Sequence, residues 1–315
     1  MDENQLFINA SIGISLFPSD ALSAEQLLRN ADTALFKAKS AGRDSYALYT
    51  EELTAHAQQR VEIAFELRRA LEQQELRVFY QPVHDLASSR LVGVEALVRW
   101  EHPQRGLVPP GEFIPIAERA GLIAEIDAWV MQQACRQMCQ WQAEGMALSF
   151  VAVNVSSRLF ARRELYQQVA QVLHDTGLDP AYLELEVTES AVMEDPEVAL
   201  EQMHRLRELG LRLAIDDFGT GYSSLLRLKR LPVQKLKIDQ GFVAGLPGDE
   251  DDAAISRVII ALAQSMGMQV HAEGIEQVEQ ARFLLDQGCD LGQGYWFGRP
   301  VPAAQLEWGR VPQIH

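Results

Sequence analysis

The sequence predicts an α/β fold, a TIM-like (β/α)8 barrel, preceded by a short N-terminal strand and helix and by a connector helix. Three observations carry this. From Arg77 onward, short apolar strand-like runs alternate with amphipathic helical stretches, and the strands number eight. They occupy about 240 residues, close to the roughly 250 of an eight-fold barrel. Oxygen-bearing side chains close several strands: Glu95 in LVGVEALVRW, Asn154 after SFVAV, Glu186 in LELEV, Asp216 and Asp217 after LRLAI, and Glu273 after MQVHA. A barrel or an open α/β sheet gathers such strand ends into one site. A doubly wound sheet is the alternative, since periodicity does not show closure, but no GxGxxG or GxxxxGK phosphate loop follows a first strand.

The elements follow in order. Residues 6–17 (LFINASIGISLF) alternate like a strand, and Pro18, Ser19 and Asp20 turn the chain. Residues 24–41 carry helical periodicity with Leu27, Leu28, Ala31, Leu35 and Phe36 to one side, closed by Gly42. A second helix, about 51–74, places Val61, Ala64, Phe65 and Leu71 on one face, interrupted by Arg68. The barrel then runs VFYQPV, LVGVEALVRW, helices over about 115–121 and 126–144, SFVAVNV, a helix over 162–176, LELEV and a helix over 197–209. LRLAI, VQKLKI, a helix over 253–266, MQVHA, a helix around 276–286 and CDLGQGY complete it. The expected boundaries are 1–47 for the N-terminal piece, 48–75 for the connector helix and 76–315 for the barrel.

Composition narrows the function. With 47% hydrophobic residues the chain can bury a full core. A net charge of -16 and a pI near 4.9 exclude a broad basic surface for a nucleic acid polymer. An anionic substrate would need metal ions to neutralise it. Three cysteines, Cys135, Cys139 and Cys289, make no disulfide framework and suit a reducing cytoplasm. No apolar run reaches the 18 or so residues of a transmembrane helix, so no membrane contact is expected from this chain itself. Six oxygen donors without His or Cys suit Mg or Mn.

The motifs YQPV (80–83), EALVRW (95–100), HP (102–103), FIPIAE (113–118), NVS (154–156), ELEVTES (184–190), DDFGTGYSSL (216–225), KLKID (235–239), AEGIE (272–276) and GQGYWFGRP (292–300) stand in this order. Together they resemble the EAL family of cyclic di-GMP phosphodiesterase domains over about residues 76–309. The resemblance implies a bacterial signalling hydrolase that converts cyclic di-GMP to linear pGpG with two divalent cations, Mg or Mn, as a homodimer in the cytoplasm, either by itself or as the cytoplasmic part of a longer, membrane-anchored sensor protein. It places Glu95, Asn154, Glu186 and Asp216 on one cation, with Asp216 bridging, Asp217 on the second, and Glu273 supporting that ion. Lys237 is implied beside the attacking water, with Glu273, Glu276 and Asp217 in the same catalytic region. Gln81, Arg99, Asp239 and Gln293 are implied around the dinucleotide, an Arg fork suiting a phosphate or a guanine edge. Two glycines in DFGTGYSSL allow a tight, mobile loop, which Glu189 is implied to steady. The alternative is a catalytically silent cyclic di-GMP receptor; losses at the metal or lysine positions would mark it, and none is found.

Other features carry bland readings. GDEDD (248–252) reads as a solvated loop with Asp251 or Asp252 capping the next helix. Cys135 and Cys139 lack zinc-type partners. His271 reads as a packed residue and not a ligand, and Trp296 stands where it could flank a base. Residues 10–46 resemble the C-terminal third of a GGDEF-family diguanylate cyclase domain without the GGDEF signature itself, so cyclic di-GMP synthesis is not expected. A lone strand and helix would leave apolar faces exposed, so this piece is expected to be poorly ordered or to pack on the barrel or a second copy.

Overall fold

The computed structural model describes residues 10–40, 44–220, 225–308 and 314. The chain divides into two compact units, Met1–Arg69 and Ala70–His315.

In the first unit, β1 (Ile12–Ile14) and β2 (Tyr46–Leu48) pair in parallel, with α1 (Ala24–Ser40) as the crossover between them. A Cβ on Gly13 would lie 2.0 Å from the Ala31 carbonyl oxygen, so β1 can press on α1 only as glycine. The strand is shorter than expected; residues 6–9 and Gly42 lie outside the described residues. The three-residue β2 is too short to show an alternation and was not foreseen. Leu28 and Phe36, expected with Leu27, Ala31 and Leu35, are instead 69% and 50% exposed, while Ala34 and Ala38 are buried. The covered stripe follows an i, i+4, i+7 path through Leu27, Ala31, Ala34 and Ala38, from which Leu28 and Phe36 are rotated away. In α2 (Glu51–Glu72) the buried positions are Ile63, Leu67 and Ala70, whereas Val61 and Phe65 are exposed. This helix carries two apolar stripes, and periodicity does not say which one is covered.

The second unit holds a closed ring of eight strands. In chain order these are β3 (Leu76–Asp85), β4 (Leu91–His102), β6 (Phe150–Asn154), β7 (Leu183–Thr188), β8 (Arg212–Phe218), β9 (Lys235–Ile238), β10 (Gln269–Ala272) and β11 (Leu291–Gln293). β5 (Gly106–Val108) and β12 (Val301–Pro302) add to β4 and β3 outside the ring. From β4 to β11 the ring strands are parallel, but β3 runs antiparallel to both neighbours, β4 and β11. The departure from uniform strand-helix alternation has a simple cause. Only residues 86–90 join β3 to β4, far fewer than the dozen or so a parallel crossover needs, so a hairpin forms.

Between strands lie α3 (Pro110–Ala120), α4 (Ile123–Ala143), α5 (Ser157–Phe160), α6 (Leu165–Thr176), α7 (Glu189–Glu194), α8 (Pro196–Glu208), α9 (Leu225–Leu228), α10 (Gln240–Val243), α11 (Glu250–Ser265) and α12 (Val278–Asp286). α3 starts at Pro110, earlier than expected at 115, because Pro110 supplies the first-turn proline and Pro115 is carried inside the helix. The helix expected over 162–176 is α6, which starts at Leu165, and a separate short turn not foreseen, α5, precedes it, with Ser156 Oγ accepting from Leu159 N at its start. α11 is capped by Asp249, which accepts from Asp251 N and Asp252 N, and not by Asp251 or Asp252. Those two lie in its first turn, where negative charge suits the helix dipole.

The core lies between ring and helices. Leu185 and Val187 of β7, Leu213 and Ile215 of β8 and Leu236 and Ile238 of β9 are buried, as are Ile126, Met131, Ala134 and Met138 of α4. Because side chains alternate along a strand, the residues between these apolar positions face the inside of the ring. Near the strand ends those residues are polar.

Candidate active site

Lys237 of β9 is fully buried inside the ring, and carboxylates surround its ammonium. Its Nζ lies 2.5 Å from Glu186 Oε2, 2.5 Å from Glu273 Oε1, 3.2 Å from Asp216 Oδ1 and 4.0 Å from Glu95 Oε1. These acids come from β7, the end of β10, β8 and β4, so ring closure makes neighbours of residues far apart in sequence. Asn154, exposed at the end of β6, donates through Nδ2 to Glu95 Oε1 at 2.6 Å. Gln293 of β11 donates to Glu95 Oε2 at 2.6 Å and to Gln81 Oε1 at 3.0 Å, and Gln81 of β3 donates to the Gly298 carbonyl at 3.1 Å.

Asp216 and Asp217 are adjacent, and in a regular strand they would face opposite sides. Here the pairing of β8 with β9 slips between Ile215 and Phe218, and Asp217 takes a left-handed φ of 52°. This bulge turns both carboxylates toward one end of the ring. Asp216, Asp217 and Glu273 thereby offer oxygens within 4.8 Å of one another. After the bulge, Gly219 N donates to Glu189 Oε2 at 2.9 Å, which ties the start of the following loop to α7. Residues 221–224 of the expected mobile loop lie outside the described residues.

The electrostatics follow from burial and crowding. Burial opposes the Lys237 charge, but attraction to Asp216, Glu186, Glu273 and Glu95 outweighs it and holds its pKa well above the ordinary value. Burial raises Glu186 well above the usual carboxylate range, with Lys237 offsetting part and Glu95 and Asp216 adding to it. Glu273 is pushed up to about 8 by burial, against the pull of Lys237. Asp217 is pushed up to about 6 by burial, then by Asp216 and Asp239. Four carboxylates thus share the Lys237 ammonium, with Asp217 beside Asp216, and Glu186 Oε1 is buried without a hydrogen-bond partner. Such a crowd of oxygen donors, whose negative charge burial and mutual repulsion oppose, fits hard divalent cations.

A cavity of about 440 Å³ opens over this cluster, lined among others by Gln81, Arg99, Glu276, Gln293 and Tyr295. Arg99 lies over the Phe79 ring at 5.7 Å. Asp239 is not among the lining residues: its Oδ1 accepts from Gly241 N at 2.8 Å and caps α10, beside Asp217. Tyr295, not Trp296, lines the cavity, with the Arg299 guanidinium 3.9 Å from its ring centre. Sequence reasoning missed Tyr295 although it stands in the GQGY motif, because Trp296 offers the larger ring. His271 is buried below the site with no hydrogen bond at either ring nitrogen. Burial, then Lys235 and Lys237, holds its pKa well below the ordinary value, so it is neutral. The two cysteines of α4 lie away from the site, Cys135 buried and Cys139 half-buried.

Comparison with known proteins agrees with this geometry. The family model described as "EAL domain" matches residues 64–300, and that described as "Diguanylate cyclase, GGDEF domain" matches residues 1–45. The bifunctional diguanylate cyclase/cyclic di-GMP phosphodiesterase MucR of Pseudomonas aeruginosa is 45% identical over 306 residues, 97% of this chain and 45% of that protein. The cyclic di-GMP phosphodiesterase PdeR of Escherichia coli is 36% identical over 303 residues, 96% of this chain and 46% of that protein. The chain therefore spans about half the length of the curated relatives it matches. The solved PaMucR phosphodiesterase in complex with c-di-GMP superposes with a TM-score of 0.76 at 47% identity, covering 78% of this chain and 100% of that one. With a family model that covers most of its length and carboxylates at the ends of a closed ring of strands, the chain belongs to the EAL domain family, and its first 45 residues match the GGDEF domain.

Proposed function

We propose that this chain is a metal-dependent phosphodiesterase that hydrolyses cyclic di-GMP to linear pGpG. The observation that carries the reading is the Lys237 ammonium held by Glu186, Glu273 and Asp216 beneath an open cavity. Relatives named as cyclic di-GMP phosphodiesterases support the substrate class. Glu95, Asn154, Glu186, Asp216, Asp217 and Glu273 would hold two divalent cations, Mg or Mn. Such ions neutralise phosphate charge and lower the pKa of bound water.

The chain's own residues supply the rest. Lys237 orients the attacking water and offsets charge that develops on the phosphorus centre. Gln81 and Gln293, linked to each other and to Glu95, form the floor on which the dinucleotide rests, with Arg99 and Glu276 at the wall. The water oxygen forms the new bond to phosphorus while the bond to the ribose 3′ oxygen breaks in line. The water's proton passes to the carboxylate cluster, and the cluster returns a proton to the departing 3′ oxygen, which leaves as a hydroxyl. Glu189 steadies the loop after β8. A homodimer in the cytoplasm belongs to the same reading, supported by the family resemblance; no helix among the described residues is long and apolar enough to cross a membrane.

The test is incubation of the purified chain with cyclic di-GMP and Mg or Mn, with an EDTA control, following pGpG by chromatography. Metal-dependent pGpG is expected. Tight binding without product would replace the enzyme with a receptor.

A further inference from the structure

A second charged pair lies deeper in the ring, unused by the mechanism. Lys235 Nζ stands 2.6 Å from Glu184 Oε1, and both side chains are 1–2% exposed. Each lies two residues before a site residue on its strand, Glu184 before Glu186 and Lys235 before Lys237. Two residues along a strand advance about 6.6 Å, so the pairs form two rungs, one repeat apart. Both rungs connect β9 to β7, which are not neighbours: β8 runs between them. Where the rungs cross, β8 contributes the small Ala214, in register with both Glu186 and Lys235. The ring of Phe150 takes the other side of the lower ammonium, 3.8 Å from Lys235 Nζ to its centre. That ring fits because position 93 is glycine; a Cβ there would lie 2.5 Å from it.

A buried ion pair is a poor way to fill space, since desolvation offsets most of its attraction and apolar side chains of similar volume serve stability as well or better. Its distinctive property is direction: a short charge-assisted contact holds two groups at one distance. The upper rung lacks this definition, because Lys237 is shared among three carboxylates within 3.2 Å. We propose that Glu184 and Lys235 are positioning residues, whose pair fixes the separation of β7 and β9 so that Glu186 and Lys237 stand correctly for metal and water. In a close-packed interior, a change at the lower rung is transmitted upward. This inference rests on the phosphodiesterase reading above for its effect on turnover, but not for its effect on metal binding.

The test uses the full chain carrying Glu184→Leu with Lys235→Met, which removes both charges together. A second variant, Glu184→Gln with Lys235→Gln, keeps a neutral hydrogen-bonding pair. Met138→Ala, in the outer core on α4, serves as a control for general destabilisation. Thermal unfolding, Mn affinity by calorimetry, and kcat and KM for cyclic di-GMP are measured on each. The charge-free variants are expected to fold, to bind Mn at least five-fold more weakly, and to lose at least ten-fold in kcat with KM within two-fold of the parent. Met138→Ala should keep kcat and Mn affinity. Folded variants whose kcat and Mn affinity both stay within two-fold of the parent overturn the proposal. Failure of both variants to fold also overturns it, by making the pair a requirement of the fold itself. If the parent does not hydrolyse cyclic di-GMP, the phosphodiesterase reading fails, and Mn affinity alone decides: a five-fold loss sustains the pair's role and no loss overturns it.

Discussion

At the residue scale, the structure changes what a substitution of Lys237 should do. A lysine beside the attacking water could be removed at the expense of turnover alone, but this one is fully buried and serves three carboxylates within 3.2 Å. Lys237→Ala leaves those charges facing one another, and breaking a buried pair by removing one partner costs about 3–5 kcal/mol. The variant should lose hydrolysis and melt lower than the parent in EDTA. Mn should raise its melting temperature more than it raises the parent's, since the cation meets less positive charge; equal shifts would argue against the crowding described. Asp127 offers a separate test. It accepts from Ser156 N at 3.0 Å and from Ser156 Oγ at 2.5 Å, and burial raises it from 3.8 to about 6 against those bonds. A folded pKa above the unfolded one gives stability that is present below pH ~4 and lost as pH rises through ~6. Asp127→Asn does not titrate, so between pH 5 and pH 8 its stability should gain about 1–2 kcal/mol relative to the parent. Melting both proteins at the two pH values measures this.

At the scale of elements, β8 decides the site. Its slip against β9 and the left-handed Asp217 turn two adjacent acids to one side. DDFG shows two aspartates and a glycine, but the bulge is a property of pairing with the next strand, and no pattern within the segment announces it. The helices were more legible at their C-terminal ends than at their starts. Gly121 closes α3 in the left-handed conformation, with its N–H bonded to Ala117 and Glu118 carbonyls, where a glycine after an apolar stretch predicts a stop. At α11 four acids stand in a row, any of which can cap, and local backbone geometry selects Asp249. Asp249→Ala should therefore cost about 1 kcal/mol and leave turnover unchanged, whereas Asp251→Ala should cost a few tenths at most. Urea unfolding of the two variants distinguishes them.

On the scale of the whole molecule, both cysteines that are fully buried are inert: burial pushes the Cys135 and Cys289 thiols up to about 12, and burial also raises Cys139. The native chain should take up no more than one equivalent of iodoacetamide at pH 7.5, and three after unfolding. Sequence alone determined the class of fold, because apolar strands with period two and amphipathic helices must each cover one face. It also placed Asn154, Glu186, Asp216, Lys237 and Glu273 at or near strand ends, whereas Glu95, expected at one too, lies in the middle of β4, because that strand runs on from Glu95 to His102 in its hairpin with β3. Tertiary structure decided the rest. A hairpin instead of a crossover turned β3 against its neighbours. Folding buried Ile63 and Leu67 and left Val61 and Phe65 of α2 exposed. Ring closure set Lys237 among acids from four strands and stacked Glu184 and Lys235 beneath them. Periodicity records which residues share a face, whereas distances across a closed ring depend on strands that the local pattern cannot see.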